Sequence, residues 1–251
     1  MQSQNSASSE NAIQLDDSLD IRERGAPTKD GKPQFSSRRL FLQLQVYTGC
    51  PQPEKLIEPL NASGLDAVLY NDLNDSDGIG LLFLTEEPGD LVTKVRELRA
   101  SQPFETLRQK PEFTMIGRTY STGREPDLED WLLVKPRRYA LNPEFSWAVW
   151  YPLRRKPEFY QLPRSEQGKI LGEHAMAGRA YVGAGYAHDI RLACFGLDQN
   201  DNDFVIGLLG AELYPLSRLV QEMRKTQQTA KYLESLGPFF VGKVCWQSPL
   251  K

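Results

Sequence analysis

Apolar residues in this chain recur first at every second position and then at helical intervals, and that alternation is written out twice. Leu40, Leu42, Leu44 and Val46 in RRLFLQLQVYTG keep the strand period of two. A helix is expected over PEKLIEPLNASG, ended by Gly64, and then strands in LDAVLYNDL and GIGLLFLTEE. PGDLVTKVRELRASQ reads as a second helix and PEFTMIGRTYS as a closing strand, which gives β-α-β-β-α-β over residues 39–121. The order then repeats. FSWAVWYPLRR is a strand, SEQGKILGEHAMAGRAY has helical spacing, and HDIRLACFGL and DNDFVIGLLG pair around DQND. LYPLSRLVQEMRKTQQTAKYL is expected as one long helix, with Leu216, Leu219, Val220, Met223 and Ala230 at helical intervals, and PFFVGKVCWQ as the last strand. Two such units predict an α+β chain of tandem ferredoxin-like repeats with packed antiparallel sheets, arranged like a dimeric α/β barrel.

The domain boundaries follow from the gaps in this pattern. Residues 1–37 are polar, with scattered aliphatics, Gly, Pro and charge, and cannot bury enough apolar surface to offset their ordering entropy. They are expected as a disordered or loosely ordered tail, which a partner subunit could still order. An N-terminal half spans 38–125, a connecting loop 126–144, and a C-terminal half 145–251. The connector STGREPDLEDWLLVKPRRYALNPE is long for a compact domain, and loops of that length are often functional.

Charge and composition exclude several function classes. A net charge of -3 spread over 251 residues gives no basic face for nucleic acid. The short runs Arg137-Arg138 and Arg154-Arg155-Lys156 are by default solvated surface charges, and a small anionic ligand is the sharper alternative. Cys50, Cys194 and Cys245 make an odd set without paired spacing, so neither a disulfide framework nor a zinc motif is expected. Free thiols, no apolar run of membrane-spanning length and no basic-then-apolar N-terminus fit a cytoplasmic protein without a secretory signal.

Chemistry has few candidates. The two histidines are His174, inside a predicted helix with Ile170 and Ala177 on its face, and His188. An imidazole on an apolar helix stripe is most simply a satisfied core residue. The functional alternative is an axial ligand projecting into an apolar cavity, the usual way to hold haem iron. Tyr151 ends the aromatic strand FSWAVWYP just before Arg154-Arg155. Alone it is a packing residue with its hydroxyl at the rim; beside a guanidinium, the phenol could meet a carboxylate and do redox chemistry on it.

The combination is more specific than its parts. YPLRRKPEFYQLPRSEQGKILGEHAMAGRAY resembles the C-terminal domain of coproheme decarboxylases, in the chlorite dismutase superfamily. It keeps a tyrosine-proline strand end, an aromatic residue before "LP", and a "(D/E)H" on the helix, with the Tyr151-to-His174 interval of the actinobacterial members. GLDQNDNDFVIGLL resembles the family's hairpin, and LVQEMRKTQQTAKYLESLGPFFVGK its last helix and strand; the likeness covers residues 38–248, more loosely in the first half.

The resemblance implies haem or coproheme as the cofactor, with His174 as proximal iron ligand. Tyr151 matches the tyrosine that becomes a radical and abstracts hydrogen from a propionate. Arg155 sits where the family keeps a basic residue beside that propionate. Thr229 matches a serine bonded to a propionate, and Arg137 or Arg138 a propionate-binding arginine. Gln228 falls where chlorite dismutases place a glutamate supporting the histidine. Counting from either side leaves the distal residue open between Ala187, Asp189 and Arg191, while His188 is expected to point away from it.

The implied activity is peroxide-dependent oxidative decarboxylation of iron-coproporphyrin III to haem b. Chlorite dismutation ranks below it, because dismutases carry an aliphatic residue at the position of Tyr151, a glutamate at that of Gln228, and a plain distal arginine. A haem carrier, sensor or weak peroxidase, and a cofactor-free protein-interaction domain, are further alternatives. The resemblance also implies a homo-oligomer, commonly a pentamer, and a coproporphyrin ferrochelatase as the partner delivering substrate.

Overall fold

A computed structural model describes residues 19–250. The first elements form a short hairpin, β1 (Glu23–Gly25) and β2 (Gln34–Ser36). The N-terminal unit follows as β3 (Phe41–Thr48), α1 (Ile57–Ser63), β4 (Asp66–Asp72), β5 (Ile79–Thr85), α2 (Lys94–Arg99), a two-residue β6 (Arg108–Gln109) and β7 (Met115–Arg118). Helix α1 ends at Gly64, whose φ of 68° is the left-handed conformation that glycine adopts without a Cβ clash. A π-helical segment, Asp130–Val134, runs directly into α3 (Lys135–Ala140). The C-terminal unit is β8 (Trp147–Arg155), α4 (Pro157–Gln161), α5 (Arg164–Gly183), β9 (His188–Ala193), β10 (Phe204–Gly210), α6 (Leu213–Met223), α7 (Gln227–Tyr232), β11 (Leu233–Leu236) and β12 (Phe240–Gln247).

Strand pairing confirms the doubled ferredoxin-like pattern. The first sheet runs β7-β3-β5-β4 and the second β9-β10-β8-β12, the same order seen from opposite ends. β4 pairs with β12 and β7 meets β9, so the two sheets close into a barrel; the second seam is a single pair, Arg118 with Ala193. Alternation then divides each strand between two environments. Leu42, Leu44 and Val46 of β3, Trp150 of β8 and Val205 of β10 face the barrel interior. Tyr47, Leu69, Leu81 and Phe83 face α1 and α2 outside the first sheet. Val149, Tyr151 and Leu208 face the helices outside the second.

Three expectations need correction. The connector is not a loop throughout: Leu128, Leu132, Leu133, Ala140 and Leu141 close the barrel interior, and Pro136 is accommodated inside the helical run directly after the π-helical segment Asp130–Val134. The part of the expected tail that is described, residues 19–37, is ordered against its own chain by polar contacts rather than apolar burial. Gln34 Nε2 donates to the Pro126 carbonyl at 2.9 Å, Gln34 Oε1 accepts from Leu128 N at 3.1 Å, and Glu23 accepts from Ser121 N at 2.9 Å and pairs with Arg118 at 3.0 Å. The expectation for residues 1–18 lies outside the described residues. Finally, the long C-terminal helix is two helices, because residues 224–226 leave the helical path before α7.

Candidate functional site

Register sets the floor of the site. Ile206 of β10 pairs with Tyr151 of β8 on one side and Arg191 of β9 on the other, and Leu208 likewise joins Val149 to Asp189. Directly paired residues share a face, so Tyr151, Asp189 and Arg191 all project outward beneath the helices. Arg155 is four residues beyond Tyr151 on β8 and projects the same way.

Helix α5 lies above this floor and is poorly packed for its length. Of its twenty residues only Ile170 is fully buried; Leu171, His174, Ala177, Gly178 and Tyr181 are half-buried. A helix of that length normally buries a continuous stripe. Here the stripe that should be buried is left partly open on the side carrying the histidine.

His174 Nδ1 lies 3.0 Å from the Thr226 hydroxyl, which itself donates to the Met223 carbonyl at 2.8 Å. Burial, with help from the Arg155 and Arg191 guanidinium groups, pushes the imidazole pKa down to about 4. The side chain is therefore neutral near pH 7, the form that ligates a metal. Thr226 was not among the sequence candidates. Its contact depends on the break between α6 and α7, and no local motif announces it.

Arg155 is held by its surroundings, yet its hydrogen-bonding capacity is not filled. Its backbone N–H donates to Asp203 Oδ2 at 2.9 Å, and the same oxygen accepts from the Tyr160 hydroxyl at 2.6 Å. The guanidinium lies 4.8 Å from the Phe159 ring centre and 4.5 Å from that of Phe204, and its buried Nε has no hydrogen-bond acceptor. The two rings attract the charge, but the buried Nε–H costs free energy until an acceptor completes it. Tyr151 is 7% exposed, stacks on Phe239 at 4.6 Å between ring centres, and is kept a neutral phenol by burial. A second tyrosine that sequence reasoning passed over, Tyr120, packs against Phe204 and feels the charges of Arg191, Arg155 and Asp189.

On the distal question the three candidates separate. Ala187 is buried in the apolar layer under α6. Asp189 and Arg191 form an ion pair at 2.9 Å, with the Arg191 guanidinium 5.1 Å from the Trp131 ring centre, beside a small cleft lined also by Thr119, Tyr120 and Lys135. His188 points to the opposite face, as alternation requires, and stacks on Phe145 at 4.5 Å.

Other candidates are placed elsewhere. Arg137 pairs with Asp66 at 3.2 Å and Glu86 at 3.6 Å, and Arg138 with Asp130 at 3.0 Å. Their helix packs on the barrel interior rather than over the outer sheet face, so neither guanidinium joins His174. Gln228 is buried, but the residue hydrogen-bonded to the His174 ring is Thr226. Thr229 is half-buried, its hydroxyl 3.4 Å from that of Thr226. Among the described residues no cluster of His, Cys, Asp and Glu could hold a metal ion by itself, and no helix is long and apolar enough to cross a membrane.

A family profile described as chlorite dismutase matches residues 130–245. The coproheme decarboxylase of Oceanobacillus iheyensis is 32% identical over 183 residues, covering 69% of this chain and 71% of that protein. The fold matches a heme-binding protein from Thermus thermophilus with a TM-score of 0.67 at 20% identity, covering 82% of this chain and 91% of the other. It also matches the chlorite dismutase of Candidatus Nitrospira defluvii, solved with imidazole, with a TM-score of 0.62 at 14% identity, covering 85% and 93%.

Proposed function

This chain belongs to the chlorite dismutase family, and from that premise we propose that it binds iron-coproporphyrin III and decarboxylates it with hydrogen peroxide to haem b. The observation that carries the reading is one outer sheet face, roofed by a half-buried helix, that gathers a neutral His174, the buried phenol of Tyr151 and the Arg155 guanidinium with its unsatisfied Nε. These groups fit the substrate. An imidazole supplies an axial ligand, a cation awaiting an anion suits a propionate, and apolar walls suit a macrocycle.

The bound iron would supply peroxide activation, the step that protein side chains do not perform. His174 would hold the metal through Nε2. Arg155, fixed by Asp203 and its two aromatic neighbours, would bind a propionate carboxylate, and Thr229 could donate to another. Tyr151 would pass hydrogen between the substrate side chain and the oxidant. Each turnover converts one propionate, hydrogen peroxide and a proton into a vinyl group, carbon dioxide and two waters. Two such steps give haem b. Positioning is the protein's main contribution, since a carboxylate held on Arg155 leaves its β-carbon little freedom relative to the phenol.

Chlorite dismutation is the second reading, and one observation counts against it. Arg191 occupies the floor of the site, but its charge is paired with Asp189 at 2.9 Å rather than free for an anionic oxidant. Peroxidase activity or haem carriage without turnover would follow if binding occurs and decarboxylation does not. The same reading carries a homo-oligomer, pentameric by resemblance, and substrate delivery by a coproporphyrin ferrochelatase.

The test is to load the apo-protein anaerobically with iron-coproporphyrin III, add stoichiometric hydrogen peroxide, and follow the porphyrin by mass spectrometry. Stepwise loss of two carboxyl groups is expected. Tyr151→Phe should bind the substrate as tightly and leave its mass unchanged. Bleaching without mass loss in the wild type would overturn the decarboxylase reading in favour of a carrier or peroxidase.

A further inference from the structure

We propose that Thr226 is the positioning residue of the site: its hydroxyl fixes the His174 ring as the Nδ1–H tautomer and leaves Nε2 as the ring's free lone pair. The role for iron rests on the reading of His174 as axial ligand; the tautomer itself does not.

A threonine hydroxyl has one hydrogen to give and two lone pairs to receive. Thr226 Oγ1 lies 2.8 Å from the Met223 carbonyl, 3.0 Å from His174 Nδ1 and 3.4 Å from Thr229 Oγ1. A carbonyl can only accept. It is also one of the carbonyls that the end of α6 leaves without an intrahelical partner, and the Thr226 N–H reaches it at 3.1 Å as well. With the hydroxyl hydrogen spent on the shortest of these contacts, Oγ1 presents a lone pair to the imidazole, and Nδ1 must carry the proton. In a neutral imidazole the other nitrogen is then the acceptor.

The backbone is arranged for this contact. Residues 224–226 interrupt what the sequence would continue as one helix, and Thr226 takes extended dihedrals, φ −71° and ψ 151°, as the residue before α7. An unbroken helix would put the side chain at a different height along α5. The nearest carboxylate in sequence, Glu173, is engaged elsewhere, because its Oε2 accepts from the Gln227 backbone N–H at 3.3 Å. His174 therefore leans on a neutral hydroxyl instead of an anion. A neutral partner orients the ring but draws little charge from Nδ1–H, so the imidazole stays a weaker electron donor than one bonded to a carboxylate. The hydrogen bond of the ring is to Thr226 and not to Gln228, the position expected to fill this role.

The first test needs no porphyrin. With histidine labelled by nitrogen-15, the apo-protein near pH 7 gives two imidazoles, and His188→Phe identifies which is His174. The wild type and Thr226→Ser are expected to show protonated Nδ1 and bare Nε2, whereas Thr226→Val should move His174 toward the Nε2–H form. A wild-type ring already protonated at Nε2 overturns the proposal whatever the protein binds.

The second test uses the protein loaded with iron-coproporphyrin III. Thr226→Val should lower affinity about 10–100-fold and shift the iron–histidine stretching frequency down, and Thr226→Ser should restore both. Thr226→Asp should shift the frequency up and the reduction potential down. Unchanged affinity and frequency in Thr226→Val would end the second half of the proposal. A His174→Ala protein with the wild-type ferric spectrum would instead remove the axial reading and leave the tautomer result standing.

Discussion

Arg155 has one donor that is satisfied only when something else arrives. Its faces are covered by Phe159 and Phe204 and its Nε is sealed from solvent without an acceptor. Arg155→Met keeps the apolar stem and removes the unsatisfied donor, so the apo-protein should be no less stable while the substrate loses a charge-assisted hydrogen bond of about 1.5–3 kcal/mol. Titration with iron-coproporphyrin III should show affinity roughly 10- to 100-fold weaker; wild-type affinity would make Arg155 a packing residue. His188 poses the reverse case on the other sheet face. Its ring is stacked on Phe145 and tilted against Tyr139, its Nδ1 is buried without a partner, and burial lowers its pKa below the ordinary 6.5. The unfolded chain thus binds the extra proton first, so this contribution to stability is complete above pH 6.5 and declines as pH falls below it. His188→Phe should keep the stack, gain about 1 kcal/mol, and make the acid side of the apo-protein's stability profile in urea melts less steep, leaving the share that the His174 imidazole contributes. An unaltered slope would assign the acid sensitivity elsewhere. At this scale His174, Tyr151 and Arg155 stand out as candidates in the sequence because they lie within one contiguous motif. Thr226 and Tyr120 do not, because only the tertiary fold brings them to that motif.

Elements were legible in proportion to how strictly their surroundings impose a period. β3, β5, β8 and β10 each face apolar layers on both sides or alternate between them, and their spans follow the apolar runs closely. Gly64 marks the end of α1 in the sequence and in space. The break between α6 and α7 has only a weak mark: EMRKTQQT contains neither glycine nor proline and, its threonines apart, consists of good helix formers, so tertiary packing overrides local preference. The connector misleads in the opposite direction: Pro136 stands inside a continuous helical run, directly after the π-helical segment Asp130–Val134. Register also fixes a glycine that no motif flags. Gly207 pairs with Trp150, and a Cβ there would lie 2.5 Å from the indole ring, which is fully buried in the barrel. Gly207→Ala should therefore destabilise by about 1–3 kcal/mol through overpacking, read as a lower urea midpoint with an unchanged slope. Because Ile206, the next residue, joins Tyr151 to Arg191, the same variant should also disturb porphyrin binding. Full stability in Gly207→Ala would mean the indole can move aside.

The whole molecule behaves as one core even though its pattern is doubled. Each half has its own outer layer of helices, but the barrel interior draws on β3, β4, β5 and β7 from the first half and β8, β9, β10 and β12 from the second. The connecting helix closes that interior with Leu132, which is 0% exposed, and the hairpin β1–β2 fastens the start of the connector through Gln34. A half-molecule would expose an entire apolar sheet face, far more surface than monomeric domains leave open. Unfolding should consequently be a single transition despite the two repeats, with tryptophan fluorescence and far-ultraviolet dichroism superimposing in urea. Leu132→Ala makes the test sharper because it touches neither the repeat helices nor the candidate site. Removing that side chain should cost about 2–5 kcal/mol and move the one transition as a unit. Two separated transitions, with only the earlier one shifted, would show that the halves fold independently. The candidate site would then belong to the C-terminal half alone. If instead the melt stays single, strain or damage in the connector reaches β8 and β9 through the shared interior, and Leu132→Ala should weaken porphyrin binding only to the extent that it unfolds the chain.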